Sequence, residues 1–250
     1  MADVRIVLVT GGGSGIGRAT SKKFSDGGDH VVVADINQDG GASVVKELNS
    51  DGGEAEYVFV DVAEESSVQK MTSIVKEKWG RIDVLVNSAG ILENVSKLGS
   101  MDLEEHDRVW AVNYRGTYLC CRSVGKLMAD QESNGSIVNI SSTSAARTFP
   151  LIAYGPAKAA IDQLTSIMAS DLGPHNVRVN AVMPGYVLTE EMQARIDAGF
   201  RDRRKMDDQS ALGRMVHPSE IADGIYFLCS DDAGRSRGLF SPLMEDGFRT

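Results

Sequence analysis

Short apolar runs alternate with longer amphipathic segments along most of the chain. The runs are rich in Val and Ile and are bounded by Gly, Asn or Asp, as expected of β-strands. Runs with little polar interruption are typical of central parallel strands that are buried on both faces. Six such runs cover residues 5–10, 30–36, 54–62, 81–90, 135–142 and 176–185.

The amphipathic segments between these runs predict helices over residues 15–27, 38–50, 64–79 and 102–130, and a further helix that begins near Tyr154. Strands that alternate with helices form right-handed βαβ units, and a series of such units builds a doubly wound sheet. The pattern therefore predicts an α/β fold class, with a parallel sheet and helices on both of its faces.

No linker, low-complexity tract or shift in composition divides the chain, so we expect residues 1–250 to form a single domain. The most irregular stretch covers about residues 186–215 and contains the charged string DAGFRDRRKMDDQS. A long irregular segment after a strand is more often a functional loop than a second domain. We therefore expect a substrate lid or loop at 186–215.

Composition narrows the possible functions. The 250 residues are 42% hydrophobic and 24% charged, and the net charge of −9 comes without any block of Lys or Arg. Nucleic acid and anionic membrane surfaces are therefore not the expected partners. The three cysteines and four histidines show neither a disulfide framework nor a metal-ligand spacing. The amino terminus lacks a signal-peptide pattern and no apolar stretch reaches ~18 residues, so we expect a cytoplasmic protein.

The sequence TGGGSGIGR, residues 10–18, follows the first apolar run and opens the first predicted helix. Its glycines at positions 11, 15 and 17 are spaced G-x-x-x-G-x-G. Glycine permits a tight turn and lets the pyrophosphate of a dinucleotide approach the N–H groups of a helix start. A glycine cluster alone also fits a plain strand-to-helix turn. Its place after the first strand favours a dinucleotide site.

Asp35 stands at the end of the second run, eighteen residues after Gly17. A dinucleotide fold places an acid here on the adenosine ribose, and a carboxylate at that point repels a 2′-phosphate. Neither Ser14 nor Ile36 is basic. Arg18 is the nearest cation that argues otherwise, and it also fits a solvated helix residue. The sequence therefore predicts NAD rather than NADP.

Tyr154 precedes Lys158 by four residues, with Pro156 between them. Proline is tolerated in the first turn of a helix, so a helix can begin here and bring both side chains onto one face. A phenol with a pKa of ~10 becomes a useful acid or base when a nearby cation lowers that pKa by ~2 units, which needs ~2.7 kcal/mol. Since a Tyr–Lys pair at this spacing is common by chance, its catalytic interpretation depends on the glycine turn and on the strand ending in NISS before it.

Several motifs, in this order, resemble those of the short-chain dehydrogenase/reductase family. They are TGGGSGIG at 10–17, Asp61-Val62, NSAG at 87–90, Asn113, NISS at 139–142, YGPAK at 154–158 and PGYVLT at 184–189. The resemblance covers nearly the whole chain and implies the compact branch with one Rossmann-type domain. It also implies an NAD-dependent oxidoreductase that interconverts a secondary alcohol and a ketone, and a homotetramer.

The resemblance assigns the catalytic roles to four residues. Tyr154 would be the acid/base, and Lys158 would lower its pKa and contact the nicotinamide ribose. Ser142 would orient the substrate oxygen, and Asn113 would anchor a water that relays the proton. Together with the glycine turn and Asp35, the expected cofactor-binding residues are Gly11, Gly13, Ser14, Gly15, Ile16, Gly17, Asp35, Ile36, Asp61, Val62, Asn87, Ala89, Gly90, Tyr154, Lys158, Pro184, Gly185, Val187 and Thr189.

Three features depart from the family pattern. Ser88 stands where the family commonly has a second asparagine. The catalytic serine usually lies thirteen residues before the tyrosine, whereas Ser142 is twelve and Ser141 thirteen residues before Tyr154. We favour Ser142 from its place in the motif, and alternation along a strand lets only one of the two face the cofactor. In the final segment, GRSRGLFSPLMEDGFRT, the residues Arg235, Arg237 and Pro242 are unusual, so the oligomer contacts are left open.

The candidate substrate-contacting residues are Glu93, Ser144, Arg147, Tyr186 and Met192. Arg147 can anchor an anionic group of a substrate or can be an exposed loop residue, which is the commoner case. Two other functions remain open. One is a 3-oxoacyl thioester reductase, whose relatives usually prefer NADPH, a preference that Asp35 opposes. The other is a dinucleotide-binding sensor or scaffold without catalysis, in which we would expect Tyr154 or Lys158 to be lost.

Overall fold

The strands form a single parallel sheet in a computed structural model of the chain, which describes residues 4–131, 134–234 and 240–241. Every pairing between neighbouring strands is parallel. The strand order is β3-β2-β1-β4-β5-β6-β7. The strands are β1 Ile6–Thr10, β2 His30–Asp35, β3 Glu54–Phe59, β4 Val84–Asn87, β5 Gly135–Ile140, β6 Val177–Val182 and β7 Phe240–Ser241.

Helices cover both faces of the sheet. They are α1 Gly15–Asp26, α2 Gln38–Ser50, α3 Glu65–Trp79, α4 Leu103–Trp110, α5 Thr117–Asp130, α6 Tyr154–Leu172, α7 Glu190–Asp197, α8 Arg203–Gln209 and α9 Pro218–Leu228. Successive strand residues enter opposite cores: Leu8 packs with the side chains of α3 and α5, while Val7 and Val9 pack with those of α1, α2 and α9. This two-sided burial explains the nearly uninterrupted apolar runs, and the predicted α/β doubly wound, Rossmann-type fold is confirmed.

The strand order reverses at β1, which lies between β2 and β4. Thr10 at the end of β1 pairs with Ala34 on one side and Asn87 on the other. Open α/β sheets bind ligands outside the carboxyl ends of their strands at such a reversal. The reversal therefore brings the glycine turn, Asp35 and the NSAG segment to one edge of the sheet.

Four parts of the structure differ from the sequence-based expectation. The helix predicted over 102–130 is interrupted by a π-helical turn at Ala111–Gly116. The segment 186–215 forms α7 and α8, and a bridge between Val187 and Val216 closes its base. The α9 helix and the two-residue strand β7 were not predicted, since both follow the last clear apolar run. The unusual residues Arg235, Arg237 and Pro242 lie outside the described residues.

None of the helices within residues 4–131 and 134–234 is long and apolar enough to cross a membrane.

Candidate active site

A cleft of about 680 Å³ opens at the carboxyl ends of the central strands. It lies between the glycine turn, the ends of β2, β4 and β5, the start of α6 and the segment that leads into α7. Most of the predicted site residues line it together: Gly11, Ser14, Gly15, Ile16, Asp35, Ile36, Asp61, Val62, Ala89, Gly90, Ser142, Tyr154, Lys158, Pro184, Gly185, Val187, Thr189 and Met192.

The glycine turn is shaped by close backbone contacts. Gly11 has a φ of +65°, and a Cβ there would lie 2.7 Å from the backbone of Ala89. A Cβ at Gly17 would lie 2.0 Å from the carbonyl oxygen of Gly11, so only glycine fits at this position. Because the turn carries no side chains at these two glycines, the backbone packs tightly there. The N–H groups at the start of α1 can then face an anion in the cleft.

An anionic side chain already binds this helix start. The backbone N–H of Gly15 donates to Oε2 of Glu190, at an N–O distance of 3.1 Å. Arg18 lies beside it, 3.5 Å from Oε1 of Glu190 and 2.7 Å from Oε2 of Glu47. The carboxylate of Glu190 thus stands in for the anion that a helix N-terminus favours. The residues at this turn therefore fit a pyrophosphate group.

Asp35 ties the glycine turn to the end of β2. Its Oδ2 accepts from the N–H of Gly13 at 2.9 Å, and its Oδ1 accepts from the N–H of Asn37 at 2.8 Å. The side chain is 9% exposed and lines the cleft. Asp35 therefore places a carboxylate at the position where a dinucleotide fold contacts the adenosine ribose.

Three predicted cofactor residues support the cleft without lining it. Gly17 is covered by the turn, and Gly13 contacts the carboxylate of Asp35. Asn87 is buried and donates through Nδ2 to Oδ1 of Asn139 at 2.8 Å. Gly13, Gly17 and Asn87 therefore shape the cleft in this structure, and their predicted cofactor binding stays a prediction.

Tyr154 is the first residue of α6, and Lys158 follows one turn later on the same face. The Lys158 ammonium lies 5.4 Å from the centre of the Tyr154 ring and donates to the carbonyl of Ile140 at 2.6 Å. Lys158 is only 4% exposed. The end of β5 and the first turn of α6 therefore fix the cation beside the phenol.

Burial dominates the protonation of this pair. Burial raises the pKa of Tyr154 to about 12, although a hydrogen bond with Ser142 lowers it, and the charge of Glu191 raises it further. Burial lowers the pKa of Lys158 to about 8, against the opposing charge of Asp162. Burial is thus the largest influence on the pKa of the phenol, and the lowering of that pKa by Lys158 stays a prediction.

The two serines of the NISS motif point to different places. Ser142 lines the cleft and lowers the pKa of Tyr154. Its Oγ accepts from the hydroxyl of Ser144 at 2.9 Å and from the N–H of Ser144 at 3.2 Å. Ser141 is 1% exposed, and its hydroxyl donates to the carbonyl of Lys158 at 3.4 Å. Both serines line the cleft, but the Ser141 hydroxyl is bonded to the backbone of α6. These contacts favour Ser142, and its catalytic role stays a prediction.

Asn113 lies on the π-helical turn and is fully buried. Its Oδ1 accepts from the N–H of Ile91 at 2.8 Å, and its Nδ2 donates to the carbonyl of Ile91 at 2.9 Å. The side chain thus clamps the loop after β4. Single π-helical turns occur often at functional sites, and this one faces Asn113 toward that loop. The water relay predicted for Asn113 stays a prediction.

The predicted substrate residues mostly lie outside the cleft. Glu93 is 0% exposed, and its Oε2 accepts from the N–H groups of Ala153 at 2.7 Å and Tyr154 at 2.9 Å. In this structure its carboxylate binds the backbone at the start of α6 and does not line the cleft. Ser144 instead orients Ser142. The hydroxyl of Tyr186 donates to Gln209 at 3.0 Å, and neither Tyr186 nor the half-buried Arg147 lines the cleft.

Several cleft residues were not predicted from the sequence. They include Glu190 and Glu191 at the start of α7, Leu92 in the loop after β4, and Arg108 in α4. No local pattern in the sequence indicates that α7 folds back over the glycine turn. Only the long-range packing of the chain brings these side chains to the cleft.

Known proteins resemble the chain over nearly all of its length. Residues 11–239 match the family described as Enoyl-(Acyl carrier protein) reductase. The D-threitol dehydrogenase of Mycolicibacterium smegmatis is 34% identical over 246 residues, covering 98% of this chain and 92% of that protein. The structure of NAD⁺-bound xylitol dehydrogenase superposes with a TM-score of 0.89 and is 29% identical, covering 95% of this chain and 96% of that chain. The structure of NADP-bound ElxO also has a TM-score of 0.89 and is 28% identical, covering 96% of this chain and 97% of that chain.

Proposed function

The chain belongs to the short-chain dehydrogenase/reductase family, and we propose from that premise that it is an NAD-dependent enzyme interconverting a secondary alcohol and a ketone. Family membership makes it an oxidoreductase that acts on alcohols. The observation that carries the finer proposal is the grouping of Tyr154, Lys158 and Ser142 in the same cleft as the glycine turn.

The residues present fit a nicotinamide dinucleotide. The N–H groups at the start of α1 suit a pyrophosphate, since a carboxylate already binds Gly15. The ends of β4 and β6 supply Ala89, Gly90, Pro184 and Gly185 along the rest of the cleft. When bound, the nicotinamide supplies the hydride acceptor for alcohol oxidation, or the hydride donor for ketone reduction.

We propose NAD rather than NADP because of the charges near the end of β2. A 2′-phosphate there would lie close to the carboxylate of Asp35, and like charges in contact disfavour binding. Arg18, the nearest cation considered for a phosphate, is paired with Glu47 and Glu190. Because relatives of this chain bind either cofactor, the proposal depends on Asp35 itself.

In this proposal Tyr154 transfers the proton. A phenol with a pKa of about 12 holds its proton at neutral pH, so it is ready to protonate the oxygen of a ketone during reduction. Alcohol oxidation needs the phenolate, and added positive charge near the ring and alkaline pH both favour that form. Ser142, oriented by Ser144, fixes the substrate oxygen within hydrogen-bonding distance of Tyr154. Lys158 supplies a cation 5.4 Å from the centre of the phenol ring.

We also propose that residues 186–215 form the substrate lid. The α7 helix contacts the rest of the site at two points: Glu190 binds the N–H of Gly15, and Nη2 of Arg195 donates to the carbonyl of Leu92 at 3.4 Å. Met192 on the same helix lines the cleft. A helix held in this way can cover a substrate beside Tyr154 and exclude water from the reaction.

The test is nicotinamide absorbance with NAD and then NADP, at mildly alkaline pH, across secondary alcohols that include polyols, cyclic alcohols and hydroxy acids. We expect reduction of NAD by one class of alcohol. Tyr154→Phe should abolish turnover while NADH still binds, as measured by fluorescence. Tyr226→Phe is the matched control, since Tyr226 packs on Phe24 away from the cleft, with ring centres 5.1 Å apart.

The alternatives give different results in the same experiment. A dinucleotide-binding sensor binds NADH but turns over no alcohol, and Tyr154→Phe leaves it unchanged. A 3-oxoacyl thioester reductase consumes NADPH with a thioester and is inactive with simple alcohols. Undiminished turnover in Tyr154→Phe would refute the proposed mechanism.

A homotetramer is the assembly that we propose. Apolar side chains are exposed on three helices that are available for subunit contacts: Leu103 on α4, Tyr118 on α5 and Ile167 on α6. Light scattering after size-exclusion chromatography measures the mass, which should be four times the 26.9 kDa of one chain.

A further inference from the structure

Glu93 holds an unusual position for a carboxylate. It is 0% exposed, lies in the loop after β4 and reaches across to the start of α6, sixty residues further along the chain. Its Oε1 is buried without a hydrogen-bond partner among the described residues. A buried, half-satisfied acid is a poor way to stabilise a fold. The position of Glu93 beside the first turn of α6 therefore points to a role in the candidate active site.

The contacts of Glu93 complete the hydrogen bonding of the first turn of α6. This helix has no local side-chain cap. The N–H of Gly155 is bonded to the carbonyl of Leu151, and Pro156 has no N–H. The two remaining donors, on Ala153 and Tyr154, both bind Oε2 of Glu93. A negative charge is also favourable at a helix N-terminus.

The loop that carries Glu93 is held by a different element at each of four successive residues. Asn113 binds the backbone of Ile91, and Arg195 of α7 binds the carbonyl of Leu92. Glu93 binds α6, and the N–H of Asn94 donates to Glu105 of α4 at 3.0 Å. Ile91 and Leu92 also line the cleft. Glu93 therefore connects the cleft-lining loop directly to the helix that begins with Tyr154.

We propose that Glu93 is a positioning residue for Tyr154: its buried carboxylate fixes the first turn of α6 against the loop after β4 and so sets where the phenol lies relative to Ser142. The inference rests on the proposed function for its catalytic consequence. The structural part of the proposal is that Glu93 orders the backbone at residues 153–154. This part can be tested without any substrate.

Three substitutions separate position from charge. Glu93→Leu removes the acceptor at similar side-chain size and leaves two buried N–H groups without a partner. Glu93→Gln keeps an acceptor oxygen without the charge, and Glu93→Asp keeps the charge but is one methylene too short to reach both donors. Glu105→Gln is the matched control, because this carboxylate also binds the same loop but does not contact α6.

The first measurement is backbone hydrogen exchange without substrate. In Glu93→Leu and Glu93→Asp we expect exchange in the segment 152–155 to accelerate about tenfold or more, while the rest of α6 is unchanged. Glu93→Gln and Glu105→Gln should exchange there like the wild type. Unchanged exchange at 152–155 in both Glu93→Leu and Glu93→Asp would overturn the proposal. Should Glu93→Leu not fold, Glu93→Asp carries the same test.

The second measurement compares turnover with cofactor binding. In Glu93→Leu and Glu93→Asp, kcat per folded enzyme should fall about hundredfold, as expected when a reacting group is displaced by about 1 Å. The dissociation constant of NADH should change by less than about threefold, and Glu93→Gln should recover most of kcat. Equal loss of kcat and NADH affinity, or no loss of kcat, would contradict a positioning role. If Tyr154→Phe keeps full turnover, the proposed function fails, whereas the exchange result still decides the backbone contact.

Discussion

Replacing Glu190 with glutamine should tighten the binding of nicotinamide dinucleotide. The wild-type carboxylate accepts from the N–H of Gly15 and lies 3.5 Å from the guanidinium of Arg18, at the helix start where a pyrophosphate is expected. A cofactor must therefore displace this carboxylate or bind beside a like charge. Glutamine has nearly the same shape and removes the charge.

The size of the effect follows from the exposure of the side chain. Glu190 is 63% exposed, so its interaction with the helix dipole lies within the ~0.3–1 kcal/mol typical of surface positions. Because 1.4 kcal/mol corresponds to a tenfold change in affinity, the dissociation constant of NADH should fall about two- to fivefold. Salt screens exposed charges, so the difference should shrink at about 1 M salt.

The assay is fluorescence titration with NADH at low and at high salt. Glu47→Gln is the matched control, since Glu47 pairs with the same Arg18 at 2.7 Å but does not bind Gly15. We expect the control to bind NADH like the wild type. Equal or weaker NADH binding by Glu190→Gln at low salt would refute the reasoning. An equal gain in NADH affinity in both variants would show that the release of Arg18, and not of the Gly15 N–H, causes the effect.

Three further predictions concern the turn, the cofactor and the buried lysine. Gly17→Ala should lower the free energy of unfolding by about 1–3 kcal/mol, because its Cβ would lie 2.0 Å from a carbonyl oxygen. Thermal melts measure this loss. Gly99→Ala is the control and should melt like the wild type, since no atom lies within 4 Å of its Cβ. Asp35→Asn should raise the NADP-to-NAD ratio of kcat/KM about tenfold or more by removing a like charge; an unchanged ratio would show that Asp35 does not exclude the 2′-phosphate. Burial lowers the pKa of Lys158 to about 8 from its ordinary 10.5, so between those values the unfolded chain binds more protons and stability rises with pH. Chemical denaturation across that window should show a gain of about 3 kcal/mol that Lys158→Met lacks, and equal slopes for both proteins would contradict it.

Local patterns predicted six strands of the sheet and most of the helices that pack on its faces. The six apolar runs correspond to β1 through β6, because burial on both faces of a parallel sheet imposes the same composition on each of these strands. The helix at 38–50 has the bounds observed, Gln38–Ser50. The prediction failed where packing decided the conformation, as at the π-helical turn Ala111–Gly116, which the pattern showed as continuous helix.

Within the candidate site, the sequence determined what depends on neighbours along the chain. The spacing of Tyr154 and Lys158 places them on one helical face because an α-helix repeats every 3.6 residues. The glycines at 11 and 17 likewise indicated a tight turn, and the structure shows the backbone contacts that exclude a Cβ there. These features follow from backbone geometry over one or two turns.

Only the tertiary structure decided which distant groups meet. Glu93 binds the backbone of Tyr154 from 61 positions away, and Glu190 binds Gly15 from 175 positions away. Burial, which raises the pKa of Tyr154 to about 12, is likewise a property of the packed site. The physical reason is the same in each case: hydrogen bonds and desolvation depend on distances in space, whereas a sequence pattern constrains only the few residues that one turn or one strand brings together.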